Sequence, residues 1–187
     1  MAPGFCIDRA YIQEPLSASQ SEEVMMAARL PSYPDVEFLL IVAAGVEPAE
    51  QGLLERNRDS HGWRSTFETN RVSVIRAASR TIGGIAGEEL VQRFAEDNST
   101  TAYGFWWEVD GIRDNVLVPH LSFTMDTGKG RHGPVPSSLS ESVALALWDK
   151  ISSSIRVRPT VGTHSTTAQV RLNPVGAGLA DQAPARR

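Results

Sequence analysis

The sequence contains a single cysteine, Cys6, in 187 residues. No intrachain disulfide can form, and a thiolate metal cage is excluded. Long apolar runs are missing too. No stretch reaches the roughly 18 apolar residues of a membrane helix, and the opening Met-Ala-Pro-Gly-Phe-Cys has neither the basic region nor the apolar run of a secretory signal. Clustered positive charge is also lacking. With a net charge of -4 and a pI near 5.6, the chain has no Lys/Arg stripe to displace counterions from phosphates, so nucleic acid is not an expected partner. A soluble protein that does not insert into a membrane is the expectation.

Sites of chemistry are as scarce. There is no G-x-S-x-G nucleophile elbow. His61, His120, His132 and His164 are scattered and form no metal-ligand spacing, so neither a metal nor a cofactor is expected. Gly83 to Gly87 lacks the spacing of a dinucleotide fingerprint, and Gly128-Lys129-Gly130-Arg131 lacks the hydroxyl residue of a phosphate loop. Glu88 and Glu89 are adjacent, so on a strand they face opposite sides and cannot work as an acid/base pair on one substrate. Cys6, between Phe5 and Ile7, reads as a buried thiol. These absences point away from an enzyme.

What is present is enough apolar residue for a core: hydrophobic residues make up 41% and charged residues 21%, close to globular averages. Gly4 to Ile12 reads as a first strand, followed by a polar loop. Val24, Met26, Ala28 and Leu30 alternate, and the apolar run Val36 to Ala44 reads as a central strand covered on both faces. Proline and acids in Glu47-Pro48-Ala49-Glu50 suggest the start of a short helix ending near Asn57. Arg71 to Ile82 forms a strand that turns or bends at Gly83 to Gly87 before Glu88 to Glu96 continues. Tyr103, Phe105, Trp107 and Val109 share one apolar face, as do Leu117, Leu121, Phe123 and Met125 on the next strand, which suggests an antiparallel pair. Ser138-Leu139-Ser140-Glu141 fits a capping box for a long helix through Trp148 to Ile155, stopped before Arg158-Pro159. The fold class is therefore α+β: a mainly antiparallel sheet with a long C-terminal helix packed on it and one shorter helix. One domain is expected over residues 1–160, with a disordered tail at 161–187 rich in Thr, Ser, Ala, Gly and Pro.

Several segments together resemble the C-terminal domain of the immunity proteins that neutralise type VI secretion lipase effectors. They are Gly4-Phe5-Cys6, Tyr33-Pro34-Asp35-Val36, Ile82 to Leu90, Phe105 to Glu108, Pro119 to Gly128, and above all Ser138 to Pro159. The resemblance implies a non-catalytic protein that binds a phospholipase effector in the periplasm and blocks its active site or lid. It also implies a companion N-terminal immunity domain that is missing from this chain.

For contact residues, exposed Trp and Arg are common interface anchors. That singles out Trp106, which alternation sends away from Trp107, and two polar loops. The first loop carries Asp59, His61, Trp63 and Arg64; the second carries Lys129, Arg131 and His132. Two other readings remain open: a small-ligand or lipid-binding module with a pocket between sheet and helix, and an enzyme using His120 and Asp126.

Overall fold

The computed structural model describes residues 4–7, 10–13, 21–63, 71–95, 100–113, 115 and 118–156. One compact unit comprises Ala2–Arg158; the second, Met1 with Pro159–Arg187, lies outside the described residues, and so does the expected tail.

The expected first strand is two strands. β1 (Gly4–Ile7) and β2 (Ala10–Gln13) pair antiparallel, with Phe5 opposite Ile12. The polar pair Asp8-Arg9 interrupts the run of strand formers.

The main sheet begins with β3 (Glu22–Leu30) and β4 (Tyr33–Ala44), which are joined at Pro31-Ser32. β5 (Val72–Ile82) and β6 (Ile85–Ala95) meet through Gly83 and Gly84, whose φ values of 58° and 86° supply the two positive angles of a type I′ hairpin. This settles the glycine segment as a tight turn. β7 (Thr101–Val109) and β8 (His120–Asp126) complete a six-stranded antiparallel sheet of order β3-β4-β8-β7-β6-β5. Because β8 pairs with β4, the chain must cross from β4 to the far edge before starting β5. α1 (Leu53–Trp63) lies in that crossover. A small hairpin of β9 (Lys129–Gly130) and β10 (Gly133–Pro134) leads to α2 (Glu141–Ser152).

The period of two divides the sheet cleanly. On one face, Phe38, Met125, Phe105 and Val91 lie across four strands in register, next to the row Leu40, Phe123, Trp107 and Glu89. α2 packs here. Its Trp148 is fully buried, stacked on Phe123 at 5.0 Å and tilted against Phe105 at 5.5 Å. Phe123 also stacks on Phe38 at 6.3 Å, so aromatic rings run from β4 to the helix. β4 is interior in the sheet but covered less evenly than its apolar run suggests: Val36, Phe38, Ala43 and Ala44 are buried, while Leu39 to Val42 are only half-buried.

Both helices depart from the expected boundaries. α2 has 12 residues, barely longer than the 11 of α1, so it is not a long helix. A serine run ends it. Ser153 Oγ donates to Lys150 O (3.1 Å) and Ser154 Oγ to Ile151 O (2.6 Å), competing with the backbone for the last carbonyls. Nor does a capping box form from Ser138. The N-cap is Ser140, without a side-chain cap bond, and the Ser138 amide that a Glu141 side chain would bind in such a box is taken by Asp35. α1 starts at Leu53 rather than near Pro48 and runs past Asn57 to Trp63, because a glutamate from the sheet caps it at that point.

Candidate interaction surface

Two adjacent glutamates on β6 fasten the two helices to opposite faces of the sheet. Glu88 Oε2 accepts the Leu54 amide at 3.0 Å, satisfying a free donor in the first turn of α1. Arg56 Nη2 adds an ion pair of 2.5 Å to Glu108 on β7, and Gln92 Nε2 donates to Asn57 Oδ1 at 2.8 Å. Glu89 points the other way and is 1% exposed. Its Oε1 accepts the Trp148 indole N–H at 2.6 Å and also pairs with Arg80, while its Oε2 pairs with Arg76 at 3.1 Å. Both arginines extend to Asp149 on α2, at 2.9 Å and 3.2 Å. The hydrogen bond from Arg76 holds the Asp149 carboxyl below the usual carboxylate range, overcoming partial burial. Arg80 Nη2 donates to Ser152 Oγ (2.9 Å), and its carbonyl accepts the Trp107 indole (3.0 Å). A buried carboxylate thus ties α2 to the sheet, and the chemistry here is structural.

The face under α2 is therefore closed. Among the described residues, Trp148, Phe105 and Phe123 pack against one another at the place where a ligand pocket between sheet and that helix was expected. On the opposite face α1 contacts β6, and Leu90, Gln92 and Ala102 are buried there. Farther across this face Ser122, Thr124, Leu39 and Ile41 are half-buried, and Met25 is exposed. Trp106 belongs to this face, between Leu90 and Thr124 in register. It lies over Gly104, where a Cβ would stand 2.2 Å from the ring, and meets Phe94 edge-on at 6.1 Å. Its own sheet therefore supports it, and its remaining surface is half-exposed.

The β9–β10 hairpin is anchored at its base by Asp35, whose Oδ2 accepts the amides of Gly128 (3.1 Å) and Ser138 (3.0 Å). Burial works to raise the Asp35 pKa, but the hydrogen bonds from Ser138 and Gly128 outweigh it and hold the carboxyl below its ordinary value. Beside the hairpin lies a cleft of about 360 Å³ whose walls include Phe94, Tyr103, Asp126 and Lys129. Burial pushes the Asp126 pKa up despite the Lys129 ammonium 3.7 Å away.

Asp59, His61 and Trp63 are on the C-terminal half of α1, not on a loop. Asp59 accepts from Gln51 Nε2 at 2.7 Å, Arg64 lies outside the described residues, and the side chains of His61 and Trp63 are likewise not described. Lys129, Arg131 and His132 belong to the tight β9–β10 hairpin rather than to an irregular loop, and all three are exposed. Trp106, α1 and Asp126 with its Lys129 partner are brought to the side of the sheet opposite α2. His120 and Asp126 share that face but lie six residues apart on β8, about 20 Å at strand rise. They are not brought together as an acid/base pair. What the sequence reading missed was Asp35 and the opposed roles of Glu88 and Glu89. Adjacency of the glutamates was the only local signal for the two helix attachments, since Leu54 and Trp148 lie 34 and 59 residues from Glu88 and Glu89.

No helix among the described residues is long and apolar enough to cross a membrane. No protein of curated function matches the chain. Among solved structures, the immunity protein TplEi of the type VI secretion system from Pseudomonas aeruginosa, complexed with an "L" peptide, superimposes with a TM-score of 0.68 at 30% identity, covering 85% of this chain and 55% of that one. Its apo form gives 0.68 at 32%, with 85% and 51% covered. A chain of the Tle4-Tli4 complex gives 0.67 at 32%, with 85% and 52% covered. The chain thus spans about half the length of these relatives. Residues 1–160 match the family described as Tle cognate immunity protein 4 C-terminal domain, and the chain belongs to that family.

Proposed function

We propose that this domain is an immunity module that binds a lipase effector of type VI secretion in the periplasm and keeps the enzyme from its substrate by covering its active site or its lid. One observation carries the reading: over 85% of its length the chain is similar in sequence and fold to a chain from the Tle4-Tli4 complex. The geometry supports a surface that acts by shape. The polar network around Glu89 is used up in fixing α2, and the face opposite α2 offers a part-exposed Trp106 and the exposed basic groups of the anchored hairpin to a partner. Within this reading, Trp106 is the central anchor, with α1 positions Asp59, His61 and Trp63, adjoining Arg64, and hairpin residues Lys129, Arg131 and His132 around it.

The test mixes the purified chain with a type VI secretion lipase effector from the same bacterium. Hydrolysis of a phospholipid substrate falls in proportion to the complex seen by gel filtration, and Trp106→Ala weakens both together. A folded chain in excess that neither comigrates with the lipase nor slows it would overturn the proposal.

A further inference from the structure

β3 is an edge strand whose stretch Met25 to Arg29 is exposed on both faces. It holds consecutive methionines on opposite sides, Met25 at 59% and Met26 at 57% exposure. Edge strands are usually kept short or interrupted by lysine, proline or a bulge. β3 has nine residues with neither lysine nor proline, and its only irregularity comes at its end, between Arg29 and Leu30. Glu22 to Arg29 therefore runs in regular register against β4, leaving its outer backbone groups without a strand partner among the described residues.

The charges on this strand are self-complementary. A two-fold axis normal to the sheet keeps each face on its own side, so residues opposed across the axis must be of the same parity. Placing Met26 against Met26 of a second copy sets Met25 against Ala27, Val24 against Ala28, and Glu23 against Arg29. The last pair occurs twice by symmetry. Glu23 and Arg29 are both exposed. Arg29 also holds Glu37 of its own chain at 3.2 Å, and a guanidinium with five donors can serve both carboxylates. Opposite charges directly across an antiparallel pair are favourable, and shifting the register by two residues loses both ion pairs.

We infer that β3 is a self-association edge: two copies pair β3 to β3 antiparallel about Met26 and join their sheets into one. The partner is a second copy of this chain, because the strand's charge pattern complements itself at the register that sets Met26 against Met26.

Sedimentation equilibrium of the 187-residue chain from about 1 to about 100 µM tests this. Dimer mass appears as concentration rises. E23R and R29E each weaken dimerisation by about tenfold or more, and the double exchange E23R/R29E restores it. Met26→Lys sets two ammonium groups against each other on the axis and leaves monomer throughout. Unchanged circular dichroism shows that each variant is folded, as expected for exposed positions. A chain monomeric at every concentration overturns the inference. So does a dimer indifferent to Met26→Lys, or a double exchange no better than the single ones. Loss of lipase binding in β3 variants of a monomeric chain would assign the edge to the effector instead.

Discussion

Replacing Glu89 by alanine removes a carboxylate that holds three donors from two directions. Two consequences can be sized. The Trp148 indole N–H is left buried without an acceptor, which costs about 1 to 3 kcal/mol, and a buried charge pair is broken, which typically costs about 3 to 5 kcal/mol. These overlap, and the arginines are not stranded, because Arg76 and Arg80 keep Asp149 at 2.9 Å and 3.2 Å and are 35% and 20% exposed. The expected loss is therefore at the low end, about 3 kcal/mol. With a urea m-value of about 2 kcal/mol/M, the unfolding midpoint falls by about 1.5 M. Glu88→Ala is the internal comparison. It removes one helix-capping acceptor at a partly exposed site, worth about 1 kcal/mol or about 0.5 M. Glu89→Gln keeps an acceptor for the indole but loses the charge, and falls between the two. The assay is urea unfolding followed by far-ultraviolet circular dichroism, with near-ultraviolet signals reporting Trp148. A midpoint shift for Glu89→Ala no larger than that for Glu88→Ala would refute the assignment of Glu89 as the clamp between α2 and the sheet.

Two further outcomes follow from the geometry. Gly83→Ala places a Cβ 2.5 Å from the Ile155 carbonyl at a φ of +58°, whereas Gly84→Ala, at +86°, meets open space; thermal unfolding should therefore show Gly83→Ala losing about 2 kcal/mol and Gly84→Ala about 1 kcal/mol. In acid, Asp35 and Asp149 have folded pKa values below the unfolded 3.8, so their stabilisation is present above that value and lost as pH falls through the folded pKa values. Asp126, shifted the opposite way, partly offsets the loss. Urea titrations from pH 6 downward should show a steep acid limb that Asp35→Asn flattens, and an unchanged limb would count against the Asp35 anchor.

Much of the sheet could be read locally. Alternation placed Trp107 and Phe105 inward and Trp106 on the other face, because side-chain direction follows from the two-residue period alone. Gly83-Gly84 marked a turn for an equally local reason, the need for positive φ. Helix boundaries were not legible to the same degree. Pro48 and Ser138 carry the right local chemistry for helix starts, yet the actual starts follow Glu88 reaching Leu54 from the sheet and Asp35 taking the Ser138 amide. The contact residues divide in the same way. Trp106 could be placed on its face from the sequence, but Asp59 to Trp63 read as a loop because the helix there has weak amphipathic pattern and is held by tertiary contacts.

The sequence by itself determined the α+β class, the inward and outward faces of β7 and β8, the burial of Trp148 and the family to which the chain is similar, since these depend on periodicity and on short segments in order. The tertiary structure alone decided that β8 inserts beside β4, that the two helices take opposite faces, and that neighbouring glutamates serve different helices. Those outcomes depend on contacts between residues far apart in the chain, as between Asp35 and Ser138 or Glu89 and Trp148. Such contacts form only when the assembled sheet brings the donors within hydrogen-bond reach, and no local pattern encodes that distance.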